Sequence, residues 1–109
     1  MTTPAQLRDQ ALALPEVQEG THFRLPAYRA GDAVFLVLQS DEYAVLHVDA
    51  DTAATAANAF ASIEETYRGR TLIGIRAHLP ELSPDDLRPI LTAAWRHRAS
   101  RALLARHPQ

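Results

Sequence analysis

Between Ala33 and Val48 the chain carries two apolar runs, Ala33-Val34-Phe35-Leu36-Val37-Leu38 and Tyr43-Ala44-Val45-Leu46-His47-Val48, divided only by Gln39-Ser40-Asp41-Glu42. Both are rich in β-branched and aromatic residues, and a four-residue polar break is a hairpin connection, so an antiparallel hairpin is predicted. The rest of the chain must then cover one side of it. In the second run Ala44, Leu46 and Val48 point one way, while Tyr43, Val45, His47 and Asp49 point the other. One side is dry and the other half polar.

The flanking segments supply the cover. Thr3, Pro4 and Gln6 give a capping residue, a proline at the first helical position and a glutamine three residues after the cap. Leu7, Ala11 and Leu14 continue that helix until Pro15 ends it. A polar connection, residues 16–21, leads to a first strand over 22–29, which Pro26 should break or confine to an edge. After the hairpin, Asp51 is the expected cap of an alanine-rich helix anchored by Phe60 and Ile63. Residues 65–68 and 71–79 around Gly69-Arg70 form a second predicted hairpin. A last helix begins at Ser83-Pro84-Asp85-Asp86 and places Leu87, Ile90, Leu91, Ala94, Trp95, Ala99 and Ala102 inward. Pro89 should bend it or leave its first turn irregular. The order is helix, three strands, helix, two strands, helix: an α+β fold, with one mainly antiparallel sheet, helices on one face and the other face open.

The 109 residues suit one domain, 1–109, burying roughly two-thirds of the unfolded surface. No cysteine is present, which removes disulfides and thiolate zinc sites. The longest apolar run is six residues, too short to span a membrane, and the first thirty residues lack a secretory pattern, so a cytoplasmic protein is expected. The net charge of −2 conceals an asymmetry: residues 1–65 hold three arginines against ten carboxylates, and residues 66–109 hold eight against three. The two halves are expected to neutralise each other across the fold or a dimer interface. Lysine is absent, so every fixed cation is a guanidinium, suited to bidentate recognition of phosphate or carboxylate.

Three stretches carry a family resemblance: Ala13-Leu14-Pro15-Glu16-Val17, the Pro-Ala-Tyr-Arg-Ala-Gly run within 23–35, and Ala94-Trp95-Arg96 followed by Ala99 and Leu103. With them the chain resembles the MmcQ/YjbR family of small bacterial proteins. The resemblance implies an α-β3-α-β2-α fold, in keeping with the order read from the residues. It also implies DNA binding, by likeness to a double-wing domain of a phage transcription factor whose concave sheet face meets DNA. Asp32 departs from the pattern, in which many members carry a lysine after the glycine that precedes the central hairpin.

On the open face, Arg24, Arg29, Arg68, Arg70 and Arg76 are candidates to meet phosphates, with His47 and His78 near the groove. Tyr28 is expected nearby. The competing reading makes these residues the solvated side of a half-exposed sheet, with Asp49 pairing Arg76 across strands. His47, Asp49 and His78 lack metal-ligand spacing, and no cofactor loop or nucleophile motif occurs, so neither metal, cofactor nor catalysis is expected. The basic tail of Arg96, Arg98, Arg101 and Arg106 complements a helix C-terminus. The expected function is thus a non-catalytic domain binding double-stranded DNA. The alternative is a protein- or small-ligand-binding module, a homodimer among the options, using an apolar patch around Tyr28, Phe35 and Tyr43.

Overall fold

The computed structural model describes residues 1–108. Its elements are α1 (Pro4–Leu12), β1 (Val17–His22), β2 (Leu25–Ala30), β3 (Ala33–Leu38), β4 (Tyr43–Leu46), α2 (Ala50–Ala59), β5 (Ile63–Arg68), β6 (Thr71–His78), a 3-10 turn (Leu79–Glu81), α3 (Pro84–Arg98) and α4 (Arg101–Arg106). The six strands form one open antiparallel sheet in the order β1-β2-β3-β4-β6-β5.

The order departs from expectation at both ends of the chain. Most of the expected polar connection, residues 17–21, belongs with His22 to the edge strand β1, hairpinned to β2 through Phe23 and Arg24. Both turn residues have positive φ, 50° and 69°, the geometry that a two-residue hairpin turn needs. Asparagine and glycine normally supply it, and their absence hides the turn from the sequence. Pro26 lies in β2 without breaking it, because pairing with β3 begins one residue later, at Ala27. At the C-terminus the helix stops at Arg98, and Ser100 caps the separate α4.

Local signals account for most helix boundaries. Thr3 and Gln6 form a capping box on α1, as Ser83 and Asp86 do on α3. Asp49, not Asp51, caps α2, accepting from the Thr52 N–H at 2.8 Å, while Asp51 sits in the first turn. α3 runs unbroken through Pro89, whose ring sits on the exposed side.

Trp95, Phe35, Leu7, Leu36, Leu46, Ile75 and Leu91 fill the core between sheet and helices. A bulge sets part of it. Between Tyr28 and Arg29 the register slips so that Phe35 is an extra residue in β3, and Phe35 and its neighbour Leu36 are both fully buried. Tyr28 is in this core as well, its hydroxyl donating to Glu19 at 3.1 Å. Trp95 ties α3 to the end of α1 by donating to the Pro15 carbonyl at 2.9 Å. The C-terminal segment is held by Glu16, which accepts from Arg106 at 3.0 and 3.1 Å and lies 2.8 Å from the His107 ring. No helix among the described residues is long and apolar enough to cross a membrane.

Candidate nucleic-acid interface

The sheet face away from the helices is divided. Gly20, Ala27, Val37, Val45, Arg76 and Glu64 oppose one another in sequence across all six strands. Ala27, Val34 and Val37, with Leu25, form a second apolar cluster that contains no helix residue. The middle of the face is therefore apolar, and polarity is confined to its ends. The apolar patch expected around Tyr28, Phe35 and Tyr43 does not form: Tyr28 and Phe35 belong to the core on the opposite side, and Ala27, Val34 and Val37 are themselves buried.

Two groups of basic side chains occupy opposite ends of this face. The first lies where β4 leaves the sheet. His47 donates its backbone N–H to the Phe35 carbonyl at 3.0 Å and stands beside Gly74. A Cβ on Gly74 would collide with the Leu46 carbonyl oxygen and lie 2.8 Å from the Val48 nitrogen, so only glycine lets the two strands approach here. The half-buried His47 ring has its pKa lowered to about 4, by burial first and then by the positive charges of Arg98, His22, His97 and Arg68. These four come from α3, the end of β1, α3 again and the end of β5. Arg98, the last residue of α3, donates its Nε–H to the Val34 carbonyl at 2.9 Å.

The second group lies at the β3–β4 turn and is already neutralised. Arg76 donates to Gln39 at 2.9 Å and to Glu64 at 3.2 Å, and its guanidinium carbon sits 3.7 Å from the Tyr43 ring centre. His78 lies 3.2 Å from Glu42 and 3.5 Å from Glu81, against the other side of the same tyrosine. Asp49 takes no part, being occupied as the α2 cap.

The remaining candidates are on hairpins. Arg24 is at the β1–β2 tip, Arg68 and Arg70 at the β5–β6 tip, and all three are exposed. Each tip also shows an aromatic ring, Phe23 at 81% exposure and Tyr67 at 53%. Arg29 lies across the face, its guanidinium over Gly20 and donating to the Thr21 carbonyl at 3.2 Å. The structure thus brings His47 and Arg68 together and sets Arg76 and His78 apart. It adds His22 and Arg98, which sequence reasoning did not place here, while His97 lies towards Asp49 and a hollow between α2 and α3. The signal for Arg98 was its position on the apolar stripe of α3, where a cation must find a partner. No group of three His, Cys, Asp or Glu side chains converges to hold a metal ion among the described residues.

The family model named YjbR matches residues 12–97, which include all six strands and nearly all of α3. The chain belongs to the YjbR family. Comparison with curated proteins and with solved structures gives no match. The YjbR match covers the open face except Arg98, and leaves α4 and the Arg106 and His107 contacts to Glu16 outside it.

Proposed function

We propose that this YjbR domain is a non-catalytic module that binds double-stranded DNA with its open sheet face, centred on His47. One observation carries the reading: two guanidinium groups from separate elements, Arg98 at the end of α3 and Arg68 at the end of β5, both act on His47, and Arg98 is held there by the Val34 carbonyl. A convergence of cations from separate segments is costly unless an anion meets it, and a phosphate backbone supplies anions in a row. The exposed Arg24 and Arg68 lie on different hairpins, and Phe23 and Tyr67 beside them offer apolar contact to sugars or bases. Arg76 and His78 share the face but contribute little, because Glu64 already meets the Arg76 charge and Glu42 and Glu81 flank the His78 ring.

The test is binding to a labelled mixed-sequence duplex over a salt series. Affinity should fall steeply with salt, and Arg68→Ala should lower the log–log slope by about one. Arg76→Ala should leave the slope unchanged. Absence of binding at low ionic strength, or a slope carried by Arg76, would refute the reading.

A second reading rests on the exposed rings of Phe23 and Tyr67 at the two hairpin tips. Such rings suit a protein partner or a second copy. Sedimentation equilibrium distinguishes this: a dimer that Phe23→Asp dissociates would favour it over DNA.

A further inference from the structure

On the other side of the molecule, α2 and α3 diverge. Asp49 and Thr52 share a hollow with Ala93, Arg96 and His97, so the start of α2 lies beside the last half of α3 and the two helices run antiparallel. Further along they part around a concavity of about 530 Å³, floored by Ala56, Ala59, Phe60, Pro89 and Ile90. That volume is typical of sites for small organic molecules, and the walls are apolar with few polar groups. Alanines on α2 and the proline ring on α3 leave the space that larger side chains would fill.

The charges that border it have one sign. Asp51 stands towards one end, Asp85 and Asp86 towards the other, and no cation lines it. Arg88 meets Asp85 at 2.6 Å and Asp86 accepts from the Ser83 N–H at 3.0 Å. Each carboxylate also occupies the first turn of its helix, where it complements the dipole. The dipole accounts for the carboxylates but not for the apolar hollow between them. We propose that this groove binds a small amphiphilic cation, an apolar body carrying a protonated amine. The body would lie on Ala56, Ala59 and Ile90, and the amine would face Asp51, since Arg88 already meets Asp85 and the α3 cap holds Asp86. This site is independent of the DNA reading, being on the helix side of the sheet.

The isotope-labelled full chain, titrated with phenylbutylamine, phenylbutanol and phenylbutyrate at neutral pH, tests this by amide shifts. The amine should move Thr52, Thr55, Ala59 and Ile90 and bind roughly three- to five-fold tighter than the alcohol, with the carboxylate weakest. Ala59→Trp, which fills the hollow from an exposed position, should abolish binding. Thr55→Arg, also exposed, should invert the order of amine and carboxylate. Thermal unfolding checks that both variants fold. Shifts elsewhere, equal binding of amine and alcohol, or indifference to both substitutions would overturn the proposal.

Discussion

His47 owes its chemistry to neighbours that the hairpin alone does not supply. Alternation along 43–49 placed it on the polar side correctly. Its partners could not be read in the same way, because Arg98, His22 and Arg68 are brought in by a helix end and two strand ends far apart in sequence. In the unfolded chain the ring takes a proton below about pH 6.5, whereas in the fold it stays neutral down to about pH 4. Its contribution is therefore complete above pH 6.5 and is lost as pH falls from 6.5 to 4. Allowing for solvent screening of a half-exposed ring, the loss should be about 1–2 kcal/mol. Urea unfolding across that range should show it, and His47→Gln should remove it. Gly74 is the other residue on which this corner depends. Gly74→Ala forces a methyl into the β4 backbone and should destabilise by about 3 kcal/mol, read from the urea midpoint at unchanged slope.

Among the elements, helix starts were the most legible, because capping boxes are local. Ser83→Ala should cost about 1 kcal/mol, since it removes the acceptor for the Asp86 N–H. Pro89 was expected to bend α3 or leave its first turn irregular; the helix continues through it, with Leu87, Ile90 and Leu91 anchored in the core on either side. Pro89→Ala should then restore one helical hydrogen bond and stabilise by about 1–2 kcal/mol. The β1–β2 hairpin was illegible for the opposite reason: its turn is made by residues that tolerate positive φ poorly. Replacing Phe23-Arg24 by Asn-Gly should stabilise the chain by about 1–2 kcal/mol and weaken duplex binding. A gain in stability without loss of binding would mean that the strained turn is not kept for contact with the ligand.

At the scale of the molecule, the charge asymmetry of the sequence resolves into pairs that join its two halves. Arg106 and His107 meet Glu16, Arg76 meets Glu64, and His78 meets Glu42. Arg68 and Arg98 lie near His47 on one face, while carboxylates edge the α2–α3 groove on the other. Composition gave only the near-zero sum; the separation of these charges depends on strand order, which local patterns do not encode. The most direct test of the account is an NMR titration of the His47 ring with and without a saturating duplex at low salt. Free, the ring should titrate at about 4. With duplex bound, phosphates beside Arg68 and Arg98 should offset the surrounding positive charge and raise that value towards 6.5. A ring that titrates near 6.5 in the free protein, or whose pKa the duplex leaves unmoved, would contradict the account.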